Sequence, residues 1–169
     1  AAHICLLTAE GLATLKNEAD KLLLYCAPGS EISVADADAV ISRGAEAGVF
    51  DLTDQVAAKN GAAAAQTLKR LLHQGEAPIM LLGMLANQYR NILAVKDMTA
   101  RGFSGQEIAS RLGLNPYYAR KCGGQGRAYG YRQLRKALEI LLAADIDGKS
   151  GKAEAADALT LAVLRICAL

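Results

Sequence analysis

Apolar residues recur at helical spacing along most of the chain. The first such segment carries apolar side chains at Leu12, Leu15, Ala19, Leu22 and Leu23, which places them on one face of a helix. The same periodicity predicts helices over 8–25, 33–44, 50–58, 62–73, 78–98, 104–112, 116–122, 131–147 and 153–168. No segment alternates as a half-buried strand does. The pattern therefore predicts an all-α fold.

Capping residues mark several of the predicted helix ends. Ser33, with Asp36 three residues later, has the spacing of a capping box. Gly75 stands where a helix ending at residue 73 would stop, and Pro78 stands at the first turn of the next helix, where proline is tolerated. The glycines at 123, 124 and 126 predict a flexible break after the helix at 116–122.

Composition agrees with this pattern. The chain has 169 residues, of which 33 are Ala and 25 are Leu, and only three are Pro, so few positions oppose helix formation. Apolar residues make up 52% of the chain, which is enough for a core. The longest uncharged apolar run, 77–89, is shorter than the roughly 18 residues that a membrane span needs. We expect a soluble, cytoplasmic protein, because neither a membrane span nor a secretory signal is visible. Since the sequence starts without an initiator Met, we also expect it to begin inside a longer chain.

The residues that most often carry chemistry are scattered. The four cysteines, at 5, 26, 122 and 167, form no CxxC pair and are typical of reduced residues in a cytosolic protein. Gly148-Lys149-Ser150 matches the end of a phosphate-binding loop, but Ala143 occupies the position of that motif's first glycine. We therefore expect no catalytic residue, no cofactor and no metal site in this chain.

Charge is unevenly distributed. Residues 1–80 hold 6 basic and 10 acidic side chains, whereas residues 81–169 hold 13 basic and 7 acidic ones. No carboxylate occurs between Ile108 and Leu138, a stretch that also contains four tyrosines. Cations that neutralise phosphates and rings that stack on bases indicate a nucleic-acid surface; the alternative is a solvated face with the tyrosines in the core. The candidate DNA contacts are Arg120, Lys121, Arg127, Arg132, Lys149 and Lys152.

The segment 104–122 allows a second hypothesis. A capped short helix, Gly113 at a turn and a following helix with Arg120 and Lys121 have the order of a helix-turn-helix. This alternative predicts a DNA-binding regulator that dimerises symmetrically, binds duplex DNA tightly by itself and loses binding when Arg120 and Lys121 are changed. Pro116 and the paired tyrosines after it are unusual at the front of a recognition helix, which needs polar groups there.

An ordered series of motifs resembles the delta subunit of the bacterial DNA polymerase III clamp loader, in its C-terminal part. The motifs are NEADKLLLY at 17–25, ISVAD at 32–36, AEAGVFDLTD at 45–54, LLHQGEAPIMLL at 71–82 with QYR at 88–90, and EIASRLGLNP at 107–116. Their order covers nearly the whole chain. The helix-turn-helix-like segment belongs to the last of these motifs, so the resemblance accounts for it as well.

The resemblance implies two regions with different roles along the chain. Residues 1–52 would form the helical lid of an incomplete ATPase-like module, and residues 53–169 a multi-helix collar that joins other loader subunits. In the family, delta has no working nucleotide site, and the chain is expected to be a non-catalytic part of the polymerase III holoenzyme. The implied partners are the gamma/tau motor subunits, delta prime, the sliding clamp through a preceding N-terminal region, and primed DNA.

A subunit taken from a ring should retain an apolar face. We therefore predict exposed apolar surface on the helices at 78–98 and 131–169. The candidate interface residues are Leu81, Leu85, Tyr89, Leu138 and Leu142.

Overall fold

The computed structural model describes residues 12–27, 29–33, 36–37, 40 and 45–169, and these residues contain no strand. Their helices are, in chain order, α1 Leu12–Tyr25, α2 Ala45–Ala57, α3 Gly61–His73, α4 Pro78–Ala100, α5 Gly105–Leu112, α6 Pro116–Gly126, α7 Tyr131–Lys149 and α8 Ala155–Cys167. The prediction of an all-α fold is confirmed.

The chain divides into two compact units, residues 1–48 and 49–169. In the first unit, α1 buries Leu22, and the Glu18 carboxylate lies 2.6 Å from the Lys21 ammonium. The predicted boundary between lid and collar, after residue 52, remains a prediction, because a division by contacts does not identify either unit as a lid or a collar.

The capping box predicted at Ser33 is present. The Ser33 backbone N–H donates to the Asp36 carboxylate at 2.9 Å, and the Asp36 backbone N–H donates to the Ser33 hydroxyl at 3.2 Å. The Ser33 hydroxyl also donates to the Asp36 carboxylate at 2.6 Å. This bond and the one from the Ser33 backbone N–H lower the pKa of Asp36, since both stabilise the ionised carboxylate. The predicted helix start at Thr8 and most of the helix predicted over 33–44 lie outside the described residues.

Helix α4 is the central element of the second unit. It packs against α5, α6, α7 and α8, and α8 also packs against α7 and α3. The side chains that α4 buries completely or nearly so are Leu81, Leu82, Leu85, Gln88, Tyr89, Ile92 and Val95. Because these positions recur at spacings of three and four residues, they form one broad buried face of α4, which its neighbours cover.

This placement corrects part of the interface prediction. Leu81, Leu85 and Tyr89 were expected to face a neighbouring subunit, but each is at most 2% exposed. Their apolar stripe packs in the protein's own core, where a partner cannot contact it. The interface prediction for these three residues is therefore wrong.

The predicted break at the three glycines is also wrong. Helix α6 continues through Gly123 and Gly124 to Gly126. A Cβ atom at Gly126 would lie 3.5 Å from Ile92 Cγ2, and one at Gly123 would lie 3.6 Å from Val95 Cγ1. Gly123 and Gly126 therefore face α4 at ordinary van der Waals distance, and the packing of α6 on α4 outweighs the low helix propensity of glycine.

The α5–α6 pair is defined by local signals that the sequence contains. Ser104 and Glu107 form a reciprocal capping box at the start of α5. Gly113 ends α5 with a left-handed φ of +64°, a conformation that glycine adopts without steric cost. Asn115 then caps α6 by accepting a hydrogen bond from the Tyr117 backbone N–H.

Candidate functional site

A cleft of about 950 Å³ lies where the second half of α4 meets α5, α6 and the start of α7. It is lined by Val95, Lys96, Thr99, Ala100, Phe103, Gly105, Gln106, Ile108, Pro116, Ala119, Arg120, Gly123, Gly124, Gly126, Arg127 and Tyr131. Its volume is in the range of small-molecule sites. We call it the α4–α6 cleft.

Small residues keep the α4–α6 cleft open. Ala119, Gly123 and Gly126 contribute little or no side chain to its wall. A Cβ atom added at Gly105 or Gly124 would meet no atom within 4 Å. The space at these positions is therefore free for a ligand.

The lining of the cleft is positively charged. It contains Lys96, Arg120 and Arg127 and no Asp or Glu. Arg120 and Arg127 are exposed, and among the described residues no carboxylate lies within 4 Å of either guanidinium. The two arginines can therefore bind an anion without first breaking an internal ion pair.

Lys96 has a structural contact as well. Its ammonium donates a hydrogen bond of 2.9 Å to the Gly126 carbonyl oxygen at the end of α6 and lies 5.4 Å from the centre of the Tyr131 ring. A lysine ammonium has three N–H donors, so this bond leaves donors for a further acceptor. Lys96 both fixes the end of α6 and adds positive charge to the cleft.

A second aromatic ring, that of Phe103, also lines the cleft. Two guanidinium groups lie near it, with Arg111 at 4.4 Å and Arg101 at 5.5 Å from the ring centre. Arg101 also contacts Asp97 at 3.4 Å, whereas no carboxylate of the described residues is within 4 Å of Arg111. Phe103 and its neighbours extend the positive surface beyond the cleft.

The predicted DNA contacts lie at four places in the structure. Arg120 and Arg127 line the cleft, and Arg132 is exposed directly after Tyr131. Lys149 and Lys152 lie at the opposite end of α7, where Lys149 contacts Asp145 at 2.7 Å and Lys152 contacts Asp147 at 3.0 Å. The structure therefore brings two of the six candidates together in one site.

Lys121 makes its contacts with α2 and not in the cleft. Its ammonium lies 3.5 Å from the Asp54 carboxylate and 4.6 Å from the centre of the Phe50 ring. Lys121 thus connects α6 to α2 and points away from the cleft lining. Its structural contacts weaken the prediction that it binds DNA, which no observation tests directly.

The tyrosines of the basic stretch divide between core and surface. Tyr129 is buried and Tyr118 is partly buried, whereas Tyr117 and Tyr131 are 43% and 47% exposed. The Tyr129 and Tyr89 hydroxyls lie 3.0 Å apart. Only Tyr117 and Tyr131 present enough ring surface for stacking.

A buried polar network holds α6 in place behind the cleft. Gln125 donates to the Asp54 carboxylate at 2.6 Å and accepts a hydrogen bond from Gln88. The Tyr118 hydroxyl donates to the side-chain amide oxygen Oε1 of Gln88 at 2.7 Å. Burial in this region raises the pKa of the Cys122 thiol to about 11, which keeps it protonated at neutral pH.

Apolar side chains are exposed on the helices where the sequence predicted them. On α7, Leu142 and Ile146 are 60% and 56% exposed, and Leu138 is partly buried against the core. The other exposed large apolar residues of α4 and α8 are Ile79, Met80, Leu161 and Leu164. The prediction of exposed apolar surface on these helices is confirmed, although on α4 it lies at the first turn rather than along the stripe.

Neither a metal-binding cluster nor a membrane-spanning helix occurs among the described residues. No group of three or more His, Cys, Asp or Glu side chains comes close enough to hold a metal ion in that part of the chain. None of the described helices is long and apolar enough to cross a membrane.

The helical fold and these sequence motifs define a class of protein. A family model described as the DNA polymerase III delta subunit, C-terminal domain, matches residues 46–166. The chain belongs to this family, and the resemblance inferred from the motifs is confirmed.

Two individual proteins show the same relationship. DNA polymerase III subunit delta of Bacillus subtilis strain 168 is 28% identical over 166 residues, which are 98% of this chain and 48% of that protein. The solved structure of the Bacillus subtilis DNA clamp loader delta protein matches with a TM-score of 0.86 and 28% identity, over 99% of this chain and 49% of that one. The chain spans about half the length of these relatives.

Proposed function

We propose that this chain is the C-terminal part of a clamp-loader delta subunit and acts by assembly rather than by catalysis. The observation that supports this most strongly is the family match, which runs from α2 to the last turn of α8. In this proposal residues 1–52 are the lid of an ATPase-like module, and residues 53–169 are the collar through which subunits join. The resulting complex would load the sliding clamp on primed DNA during replication.

The exposed apolar residues of α7 support the collar role. Leu142 and Ile146 are four residues apart and therefore lie on the same face of α7. Large apolar side chains on a common helix face are typical of protein–protein contacts. We propose that this face contacts another loader subunit, either a gamma/tau motor subunit or delta prime.

DNA would be a partner of the assembled complex. The positive second half of the chain supports a contact with primed DNA, for which Arg120, Arg127 and Arg132 are the strongest candidates among the predicted residues because no described carboxylate lies within 4 Å of them. The sliding clamp would be bound by a preceding N-terminal region of the full-length subunit.

Co-elution tests the assembly. The chain is mixed with purified motor subunit and delta prime and applied to a size-exclusion column, where we expect one larger heteromeric peak. The double variant Leu142→Asp/Ile146→Asp should reduce the yield of this peak, because it places charges in the proposed contact.

The matched control is Ala62→Asp/Gln66→Asp, which adds the same charges at the same spacing to exposed positions of α3. This control should assemble as the unchanged chain does. Separate elution of the unchanged chain, together with tight duplex binding by the chain alone, would contradict the proposal and favour the helix-turn-helix alternative.

A further inference from the structure

We propose that the α4–α6 cleft binds a nucleotide unit of a single DNA strand, with the phosphate on Arg120 and Arg127 and the base against an aromatic ring. The inference deepens the proposed contact with DNA and rests on that function only for its biological setting. The binding chemistry follows from the cleft itself.

Charge selects an anion. The three cations that line the cleft are accompanied by no carboxylate in the lining. The nearby carboxylate of Glu107 accepts hydrogen bonds from the backbone N–H and the hydroxyl of Ser104, and these bonds lower its pKa. Glu107 thus keeps its negative charge at the cap of α5, where it also interacts with Arg111, and it makes no ion pair within 4 Å with Arg120 or Arg127.

Shape and aromatic surface select a nucleotide over a simple anion. A volume of about 950 Å³ is far larger than inorganic phosphate requires. Tyr131, which lines the cleft, is 47% exposed and offers a ring face to a base. Stacking of a base on an aromatic ring combines with phosphate neutralisation in proteins that bind single strands.

The open edge of the cleft favours a strand over an enclosed small molecule. Arg120, Arg127 and the neighbouring Arg132 are all exposed, so phosphates on both sides of the bound unit can be neutralised. Arg101 and Arg111 lie beside Phe103, another lining residue, and add positive charge next to the cleft. A strand could therefore enter and leave without meeting a carboxylate of the lining.

The test uses fluorescence anisotropy of a short 5′-phosphorylated oligothymidylate that is labelled at its 3′ end, titrated with the 169-residue chain at low and at moderate salt. We expect binding that weakens as salt increases. Arg120→Gln/Arg127→Gln should lower the affinity by about tenfold and reduce the salt dependence. The matched control, Lys59→Gln/Lys69→Gln, removes two exposed positive charges outside the cleft lining and should leave the affinity within about twofold.

A third variant tests the location without removing an arginine. Gly105→Glu places a carboxylate where a Cβ atom meets no neighbour within 4 Å, at a helix start where an acidic residue is favourable. It should weaken oligonucleotide binding while thermal unfolding stays unchanged or moves to higher temperature. Unchanged binding by this variant would overturn the assignment to the cleft.

Competition experiments distinguish a DNA strand from other anionic ligands. If thymidine 5′-monophosphate displaces the oligonucleotide at equal nucleotide concentration, the ligand is a free nucleotide and the proposal of a bound strand is overturned. If displacement requires a large excess of the mononucleotide, the result supports a bound strand. Displacement by poly-glutamate as efficient as by unlabelled oligothymidylate would identify an acidic peptide and overturn the proposal. Equal losses in the arginine pair and the lysine pair, or no binding at low salt, would also overturn it.

Failure of the proposed nucleotide binding can be distinguished from failure of the proposed assembly with loader subunits. The arginine variants should still co-elute with the loader subunits, since Arg120 and Arg127 line the cleft and Leu142 and Ile146 do not. Loss of oligonucleotide binding with retained assembly supports the cleft. Failure of the unchanged chain to assemble contradicts the proposed function and leaves the anisotropy result to decide the cleft by itself.

Discussion

The Lys96 ammonium nitrogen lies 2.9 Å from the carbonyl oxygen of Gly126, the last residue of α6. The carbonyl groups at the end of a helix lack intrahelical partners and carry partial negative charge, so a cation is favourable there. This contact joins α4 to α6 and places positive charge at the edge of the α4–α6 cleft.

Replacing Lys96 should therefore destabilise the domain. Lys96→Met keeps most of the apolar stem and removes the ammonium, and we expect it to lower the free energy of unfolding by about 1 kcal/mol. Urea denaturation followed by circular dichroism measures the change. Lys69→Met, at an exposed position of α3, is the control and should change stability by less than about 0.5 kcal/mol; equal effects of the two would refute the role of the contact.

Two glycines of α6 should respond to substitution in opposite directions. Gly124→Ala adds a methyl group where no atom lies within 4 Å, and the better helix propensity should stabilise the protein by about 0.5–1 kcal/mol. Gly126→Leu extends a side chain towards Ile92, whose Cγ2 would lie 3.5 Å from the added Cβ atom, and the overpacking should cost about 1–3 kcal/mol. Urea midpoints that move in the same direction for both would contradict the close packing of α6 on α4.

Removing the hydrogen bonds of Gln125 should cause a larger loss of folding free energy. Gln125→Ala removes the bond to Asp54 and leaves the buried amide nitrogen of Gln88 with only the Cys122 sulfur, at 3.8 Å, as an acceptor, which should cost about 2–4 kcal/mol. Chemical denaturation measures the effect, with Gln106→Ala at an exposed position of α5 as control. A loss for Gln125→Ala as small as that of the control would show that the network contributes little to stability.

Stability should fall at alkaline pH. Burial raises the pKa of Cys122 from 9.0 to about 11 and raises the pKa of Tyr129 above 10.0. Between the unfolded and folded pKa values the unfolded chain has released a proton that the folded chain retains, so the free energy of unfolding decreases as pH rises. For Cys122 this window runs from pH 9 to about pH 11.

Urea midpoints measured in steps from pH 8 to pH 10.5 check this dependence. Cys122→Ser lacks a group that titrates in the window and should give a shallower decline, as should Tyr129→Phe. A decline of the same slope in all three proteins would show that neither group causes it.

Much of the helical fold could be predicted from the sequence because its signals are local. Apolar periodicity and caps such as Ser104, Asn115 and Gly113 act within a few residues, and the helices at 61–73 and 105–112 begin and end within one residue of the predicted limits. The prediction failed at Gly123–Gly126, where the intrinsic preference of glycine competes with packing against Ile92 and Val95 from a different helix.

The sequence alone could not predict whether an apolar helix face packs in the chain's own core or against another subunit. The periodicity of Leu81, Leu85 and Tyr89 shows that one face is buried but does not distinguish the chain's own core from a partner. Likewise, Lys121 has the same local context as Arg120, and only the fold brings it beside Asp54. The sequence located the positive stretch correctly yet missed Lys96 and Phe103, because they precede the carboxylate-free segment and join the cleft only through packing of α4.

Native mass spectrometry of the chain mixed with motor subunit and delta prime tests the proposed assembly most directly. We expect a heteromeric complex that contains one copy of the 17.7 kDa chain, and the double variant Leu142→Asp/Ile146→Asp should lower its abundance. A chain that remains at its own mass with the loader subunits, or that forms a symmetrical dimer on duplex DNA, would contradict the proposed assembly.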